Sequence, residues 1–325
     1  MTINKMDIKK NKENVNNYIL ITPAKDEETC LPGLIASVRA QDSRPCAWII
    51  IDDGSSDRTS EIIRAAEASD SWIHGIFLES RTNYNIEEHY AEICTTGFDY
   101  GLKYISDHQL PCDFIALSDA DMIYSKDYFN TLSDFLISHP DYGLISGALM
   151  IKDDRGNIYQ ENKVLPNNDI PLGTGRMWRI STFIETGGYL KVRAPDTVSY
   201  ILAVLHGWKT TQLPDLICYQ SRDTGSKINI WQGYVRKGER AYYLNSNILS
   251  IFNTVVDFIV ISRQKDSLKK SLALVVGYFS SYFHHDTQIP DAEVRRYMGS
   301  YKKTFKTYIQ LIKRLKSPFK KSSYY

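Results

Sequence analysis

The chain has 325 residues, with 39 Lys and Arg against 38 Asp and Glu, so its total charge is close to zero. This balance argues against a nucleic-acid-binding protein, whose surface needs an excess of positive charge. The five cysteines show no C-x-x-C spacing, which excludes a zinc ribbon or a disulfide scaffold and fits thiols kept reduced in a cytosol. A chain of this length can form one large α/β domain, with or without an accessory piece.

No targeting or membrane-spanning segment is recognisable. Residues 1–17 are polar and lack the apolar core of a secretory signal, so we expect a cytoplasmic protein. The longest apolar stretches, residues 248–261 and 272–283, fall short of the roughly 20 residues that span a bilayer.

The C-terminal segment differs in charge from the rest. Residues 301–325 hold eight Lys and Arg and no acid, which leaves 31 bases against 38 acids in residues 1–300. Apolar residues recur at helical spacing within this segment, which predicts a helix with one basic and one apolar face. Such a helix can lie on the anionic inner face of a membrane, or it can pack on its own domain with the basic face in water.

The first half of the chain alternates between strand and helix patterns. Apolar runs predict strands, in chain order, at residues 18–22, 47–51, 73–78 and 114–117. Amphipathic stretches between them predict helices at residues 31–41, 59–68 and 87–104. This order indicates an α/β fold with an open, Rossmann-like, mostly parallel sheet flanked by helices. Ligands of such sheets bind beyond the carboxyl ends of the strands.

The second half is less regular. A strand is predicted at residues 142–150, a polar excursion follows as far as residue 171, and helices are predicted at residues 181–186 and 197–206. From about residue 228 the pattern is mostly helical. We therefore divide the chain into four parts: a polar N-terminal tail (1–17), two halves of a catalytic domain (18–121 and 122–227) and a helical C-terminal region with its basic tail (228–325).

Three of the predicted strands end in acidic residues. The fourth strand is followed by Asp119 and Asp121 in a D-x-D pattern, and carboxylates so placed suit Mg²⁺ or Mn²⁺, which completes its shell with water and substrate phosphates. The second strand ends in Asp52 and Asp53 before a Gly-Ser-Ser turn, where one carboxylate can accept hydrogen bonds from a nucleoside. The first strand leads into P-A-K-D-E-E. Each motif alone also fits a solvated or capped turn.

The motifs PAKDEE, IDDGSSD and SDAD, in this order, resemble the nucleotide-sugar-binding half of glycosyltransferase family 2 enzymes, which have the GT-A fold. The resemblance covers about residues 18–222. It implies a metal-dependent, inverting transfer from a nucleoside-diphosphate sugar, with a UDP-sugar favoured, and Mn²⁺ or Mg²⁺ as cofactor. It implies that Asp121 binds the metal and that the donor nucleotide is held by Pro23, Ala24, Asp26, Glu28, Asp53 and Asp119.

The resemblance also implies a catalytic base. The G-G-Y at residues 187–189 and the following A-P-D-T resemble the region in which relatives place an Asp that deprotonates the acceptor, which makes Asp196 the candidate; it can also be the N-cap of the next helix. Pro195 stands where many relatives have Glu, and Gln220 where many have a metal-site His. Weaker candidates for phosphate or acceptor contacts are Gly173, Thr174, Arg176, Arg179 and Arg222.

Several alternatives stay open at this stage. The histidines, His89 included, are read as structural or exposed rather than catalytic. The missing Q-x-x-R-W motif of processive synthases favours transfer of single sugars to a hydroxyl acceptor. That acceptor can be lipid-linked, if the amphipathic stretches at residues 248–259 and 268–283 face a membrane; a homo-oligomer or core packing explains those stretches equally well. A sugar-phosphate nucleotidyltransferase and a catalytically degenerate membrane-surface binding protein are the competing functions.

Overall fold

The computed structural model describes residues 18–81, 85–152, 158–160, 169–221, 229–261 and 266–300. In this part of the chain a mixed sheet is flanked by helices on both faces. The strands follow one another as β1 (Tyr18–Ala24), β2 (Ala47–Asp52), β3 (Ile73–Phe77), β4 (Phe114–Leu117), β5 (Met122–Tyr124), β6 (Tyr142–Lys152), β7 (Ile158–Gln160), β8 (Arg176–Arg179) and β9 (Lys209–Gln220).

The helices alternate with the strands at first and then follow one another. They are α1 (Leu31–Arg39), α2 (Thr59–Ser69), α3 (Ile86–Asp107), α4 (Tyr128–Ser138), α5 (Ile180–Glu185), α6 (Pro195–Leu205), α7 (Ile230–Tyr243), α8 (Ile248–Val256), α9 (Ser267–Phe283) and α10 (Ala292–Gly299), with a π-helical turn (Asp257–Ile261) extending α8. The predicted strands and helices of the first half are confirmed, with ends that differ by at most three residues. The helix α4 and the strands β5, β7, β8 and β9 were not predicted.

The sheet order is β3-β2-β1-β4-β8-β6-β9-β5, with β7 paired to β6. The strands β1 to β4 pair in parallel, as predicted. Beyond β4 the sheet is mixed, because β8 runs antiparallel to both β4 and β6, and β5 runs antiparallel to β9. The expectation of a mostly parallel sheet therefore holds for the first half only.

Successive side chains along each strand pack alternately into two hydrophobic cores, one on each face of the sheet. Tyr18 and Leu20 of β1 pack with α1, α2 and α4, whereas Ile19 and Ile21 pack with α3 and the helices that follow β8. All four side chains are fully buried, as expected for a strand covered on both faces. Because the parallel strands are fixed from both sides, their carboxyl ends meet along one edge.

The C-terminal region is helical in its described parts, 229–261 and 266–300. Helices α7 and α9 cross at very close range: a Cβ added to Gly277 would lie 2.0 Å from the carbonyl oxygen of Val235, and one added to Gly238 would lie 2.1 Å from that of Leu274. Such a crossing needs glycine on both helices. In the described residues no helix has the length and apolar character needed to cross a membrane. The basic segment 301–325 lies outside them.

Candidate active site at the carboxyl edge of the sheet

Two of the acidic motifs form one hydrogen-bonded unit. The carboxylate of Asp26, whose backbone is left-handed (φ 53°), accepts hydrogen bonds from the backbone N–H of Ser56 at 2.7 Å and from its hydroxyl at 3.0 Å. Glu28 accepts hydrogen bonds from the backbone and the guanidinium of Arg58, the latter at 3.2 Å. The loop after β1 is thus tied to the loop after β2, and both carboxylates serve this junction rather than line the adjoining cleft. Their predicted contacts to the nucleotide stay a prediction.

Glycine is required in the second loop. Gly54 has φ +64°, and a Cβ there would lie 2.4 Å from the backbone nitrogen of Ser80. Neighbouring Asp52 is buried and accepts hydrogen bonds from the backbone N–H of Ser55 at 3.0 Å and from the hydroxyl of Ser60. Asp52 therefore holds the turn, which leaves Asp53 for the ligand side.

A cleft of about 320 Å³ opens at the carboxyl edge of the parallel strands. Its lining combines residues from the ends of β1, β2, β4 and β9 with residues from the first turns of α3, namely Pro23, Ala24, Lys25, Glu27, Asp53, Ile86, His89, Tyr90, Ile93, Asp119, Ala120, Asp121 and Gln220. Of the predicted donor and metal residues, Pro23, Ala24, Asp53, Asp119 and Asp121 are among them. Strand topology thus brings the three acidic strand ends to one place.

One end of the cleft is built around Asp53, which is 6% exposed. The Lys25 ammonium donates to the Asp53 carboxylate at 3.2 Å and to its carbonyl oxygen at 2.9 Å. The His89 Nε2 lies 2.8 Å and 2.9 Å from the two carboxylate oxygens, and it donates, because a carboxylate only accepts. His89 was interpreted as structural or exposed; it is buried and lines the cleft, so the exposed alternative was wrong. Its sequence position in a helix gave no sign that α3 would direct it at Asp53.

The other end of the cleft holds the D-x-D pair. Asp119 accepts a hydrogen bond from the Tyr90 hydroxyl at 2.9 Å, and its backbone N–H donates to the Thr174 hydroxyl at 2.8 Å. Asp121 accepts a hydrogen bond from the Gln220 side-chain amide at 2.9 Å. Thr174 therefore fixes the backbone at the motif, and its predicted contact to a phosphate stays a prediction. Gln220 lies beside Asp121, at the position where many relatives have a metal-site His.

Burial, together with the negative charges of Asp121 and Asp196, raises the pKa of Asp119 to about 7, against the hydrogen bonds from Tyr90 and Thr174. The charges that act most strongly on this carboxyl are thus those of two other carboxylates, and this is the electrostatic setting that a bound cation relieves. In the described residues no group of three or more His, Cys, Asp and Glu side chains is arranged to hold a metal. The donor set is instead two carboxylates and an amide, all hard oxygen ligands, which fits Mg²⁺ or Mn²⁺ with water and phosphate in the remaining positions.

We expect the metal-free protein to lose stability as the pH rises from about 4 to 7. The pKa of Asp119 is about 7 in the folded chain against 3.8 unfolded, so the folded state binds the proton more tightly in this window. Three pKa units correspond to a ceiling of about 4 kcal/mol. The check is urea unfolding at pH 5.5 and 7.5 in EDTA for the wild type and Asp119→Asn. The free energy of unfolding should change less between the two pH values in Asp119→Asn than in the wild type, by part of that ceiling. An identical pH dependence in the two proteins would contradict the assignment.

Asp196 lies next to this end of the cleft, in the first turn of α6. The N-cap of α6 is Ala194, with left-handed φ 55°, and Pro195 opens the helix, so the alternative of Asp196 as an N-cap was wrong. The Tyr189 hydroxyl donates to Asp196 Oδ1 at 2.7 Å. A Cβ on Gly173 would lie 2.9 Å from Asp196 Oδ2, so Gly173 leaves room for this carboxylate. The side chain of Asp196 is 34% exposed, which keeps it open to a second substrate.

The two arginines predicted to contact phosphate or acceptor lie at opposite ends of β8, three positions apart. Arg176 is 1% exposed; its guanidinium donates to the carbonyl oxygens of Leu172 and Asp196 and lies 3.6 Å from Asp196 Oδ1. It supports the Asp196 turn. Arg179 pairs with Phe114 at the opposite end of β4 and donates to carbonyl oxygens at the end of α4, so its predicted role at a phosphate is not supported. Arg222 lies outside the described residues.

Glu87 links the Asp196 turn to the helical region. Its carboxylate accepts a hydrogen bond from the backbone N–H of Ala194 at 3.2 Å and pairs with the Arg240 guanidinium of α7 at 2.6 Å. The Arg193 guanidinium lies 3.9 Å from the same carboxylate. Nothing in the sequence indicates this contact, because Glu87 is there simply an acid in the first turn of a helix.

These features define a class: an α/β fold whose parallel strand ends carry a buried acid and a D-x-D pair, with a further carboxylate beside them. Comparisons with solved structures agree on the fold. A crystal structure of TarS from S. aureus aligns with a TM-score of 0.50 at 13% identity, covering 92% of this chain and 79% of that one. The mannosyltransferase PcManGT from Pyrobaculum calidifontis, solved with GDP-Man and Mn²⁺, aligns with a TM-score of 0.50 at 12% identity, covering 91% and 87%. The described chain has the GT-A fold.

Sequence comparisons point to the same class. Residues 19–87 match the family model for glycosyl transferase family 2. The chain is 30% identical over 122 residues to the 4,4'-diaponeurosporenoate glycosyltransferase of Staphylococcus haemolyticus, covering 38% of this chain and 28% of that protein. It is 29% identical over 122 residues to the probable glucomannan 4-beta-mannosyltransferase 1 of Arabidopsis thaliana, covering 32% and 22%. The chain thus spans about a quarter of the length of these relatives, and its first part is similar to glycosyl transferase family 2.

Proposed function

We propose that this chain transfers one sugar from a nucleoside-diphosphate sugar to an acceptor hydroxyl, with inversion at the anomeric carbon. The observation that carries the proposal is the single cleft in which Asp53, Asp119 and Asp121 meet, with Asp196 beside it. A nucleoside, a diphosphate and a sugar are joined in that order in the donor. The Asp53 end of the cleft suits the nucleoside, and the D-x-D end suits the diphosphate. The Asp196 carboxylate lies beyond the D-x-D end, where the sugar reacts.

The Asp53 end suits uracil better than guanine. Lys25 and His89 present donors beside the acceptor oxygens of Asp53. Uracil offers the complementary series, with the acceptor O2, the donor N3–H and the acceptor O4 along one edge, whereas guanine places two donors next to one acceptor. On this argument the donor is a UDP-sugar. The imide N–H of uracil donates to Asp53, and its carbonyl oxygens lie near Lys25 and His89.

Asp121 and Asp119, with Gln220 beside them, would hold Mn²⁺ or Mg²⁺. When bound, the ion neutralises the charge that builds up on the leaving diphosphate, which is the main electrostatic demand of this reaction. The chain itself contributes the fixed positions of these groups. Thr174 and Tyr90 hold Asp119, and the Gln220 amide orients Asp121.

The remaining step is removal of a proton from the acceptor. The hydroxyl oxygen attacks the anomeric carbon, its proton passes to a carboxylate oxygen of Asp196, and the bond from the anomeric carbon to the diphosphate oxygen breaks with its electron pair on the diphosphate. Tyr189 and Arg176 contact one oxygen of the Asp196 carboxylate, which leaves the other oxygen, beside Gly173, to accept the proton. Attack from the side opposite the leaving group inverts the anomeric carbon.

The acceptor is the least constrained partner. We propose a single hydroxyl acceptor rather than a growing polymer, because W-Q-G-Y-V-R at residues 231–236 does not match the Q-x-x-R-W motif of processive synthases. A lipid-linked or surface-glycan acceptor fits a protein whose basic segment 301–325 contacts the inner face of a membrane.

The deciding test is a thermal-shift panel of UDP, GDP, ADP and the matching nucleotide sugars, each with Mn²⁺, Mg²⁺ or EDTA. A ligand that binds the folded state raises the melting temperature. We expect the largest shift with UDP or a UDP-sugar plus metal, and loss of the metal-dependent part in Asp121→Ala. A larger shift with GDP would overturn the uridine assignment alone. No shift with any nucleotide in the folded wild type would overturn the transferase proposal and favour a degenerate binding protein.

A further inference from the structure

The outward face of α9 is apolar. The helix is anchored by Leu274, Gly277 and Tyr278, which are buried against α7 and α8. On the opposite face five apolar residues follow at intervals of three or four. In this outward stripe Leu268 is 72% exposed, Leu272 57%, Val276 42% and Phe283 71%, and Phe279 is partly buried between them.

Burying a helix normally covers its apolar residues and leaves polar ones outside. In α9 the inner face includes Ser271 and Ser281, both buried, whereas the outward stripe is made of Leu, Val and Phe. The neighbouring α8 repeats the feature: Ile248 is 53% exposed, Leu249 48% and Phe252 63%. Exposed apolar side chains grouped in this way mark a contact surface rather than the scatter found on any protein.

Charge indicates what covers this surface. Lys269 and Asp266 are exposed beside the stripe, and the segment 301–325, which follows α10, adds eight Lys and Arg without an acid. The described chain ends beside this surface, because the Asn247 side chain at the start of α8 donates to the carbonyl oxygen of Gly299 at 3.4 Å. A bilayer with anionic headgroups offers an apolar layer for the stripe and negative charge for the bases. Stable attachment to a membrane usually needs two such signals together.

We propose that the outward stripe of α9, with the exposed residues of α8, is a docking surface for an anionic phospholipid bilayer. The surface lies in the folded part of the chain and is independent of the proposed transferase activity, since it shares no residue with the cleft. The helix lies along the interface and does not cross it. Its apolar residues enter the boundary between headgroups and acyl chains.

The test is flotation of the full-length protein with vesicles of phosphatidylcholine alone and of phosphatidylcholine with 30% phosphatidylglycerol. We expect binding to the anionic vesicles, weakened by high salt, and at least tenfold weaker binding for Leu268→Glu combined with Leu272→Glu. The matched control is Ile137→Glu combined with Ile184→Glu, which adds the same charge at two isoleucines that are 59% and 63% exposed elsewhere. The control should lose much less binding.

Three outcomes would overturn the proposal. If the wild-type protein binds neither kind of vesicle at low salt, the docking surface does not exist. Equal losses in the stripe variant and the control would show a general charge effect. If the stripe variant instead lowers the melting temperature, or dissociates a dimer seen by light scattering, the stripe is covered by protein. Nucleotide-induced thermal shifts, measured in parallel, report on the cleft separately and should be the same in all three proteins.

Discussion

Replacing Asp196 by Asn is expected to lower sugar transfer by about 10²–10⁴-fold, the usual contribution of a general base. Asn keeps the shape of the side chain and its contacts with Tyr189 and Arg176, but it cannot accept the proton of the acceptor hydroxyl. Nucleotide binding should not change, because Asp196 lies beside the donor cleft rather than in its lining. The measurement is release of UDP from the donor selected by the thermal-shift panel, with water or a hydroxyl acceptor.

The matched control for this variant is Asp99→Asn, which removes an exposed carboxylate from α3. It should retain the wild-type rate. Full transfer activity in folded Asp196→Asn would show that another group accepts the proton. A variant that also loses its nucleotide-induced thermal shift would show that Asp196 shapes the donor site instead. Either result would remove the base assignment and leave the fold unaffected.

Replacing Gly277 by Ala is expected to destabilise the protein by about 2 kcal/mol or more, as overpacking of a close contact does. The new Cβ would lie 2.0 Å from the carbonyl oxygen of Val235, a backbone atom that can move only if α7 moves. The gain of about 1 kcal/mol that Ala brings to a helix interior is too small to offset this clash. The measurement is urea unfolding followed by circular dichroism.

The control is Gly33→Ala in α1, where the nearest atom to a new Cβ is a side-chain carbon of Ile123 at 3.7 Å, an ordinary contact. The same substitution should there be neutral or stabilising, because only the helix preference of Ala remains. Equal destabilisation by both variants would mean that the α7–α9 crossing does not have the close approach described.

The first half of the fold could be predicted because its signals are local. An apolar run bounded by polar residues is enough to mark a buried parallel strand, and β1 to β4 were found on that basis. The acids of the cleft could be predicted for the same reason, since Asp53, Asp119 and Asp121 follow such runs. Once the strands are parallel and adjacent, their carboxyl ends must meet.

Other parts of the site depend on contacts between residues far apart in the chain. His89 faces Asp53 from 36 residues away, and Thr174 fixes Asp119 from 55 residues away. Neither contact leaves a periodicity or a motif. The mixed second half of the sheet was also missed, because β9 contains a Pro and polar residues and reads poorly as a strand, yet its pairing with β6 and β5 makes it one.

The sequence by itself determined the class of fold and the acidic strand ends, because each depends on consecutive residues whose preferences do not depend on the rest of the chain. Only the tertiary structure decided which carboxylates share a cleft, that Arg176 supports the Asp196 turn while Arg179 lies at the far end of β4, and that the outer face of α9 is apolar. Whether a side chain is buried, and which way it points, depends on the residues packed around it. A helical pattern shows that α9 has faces, but only its packing against α7 and α8 shows which face is left for a partner.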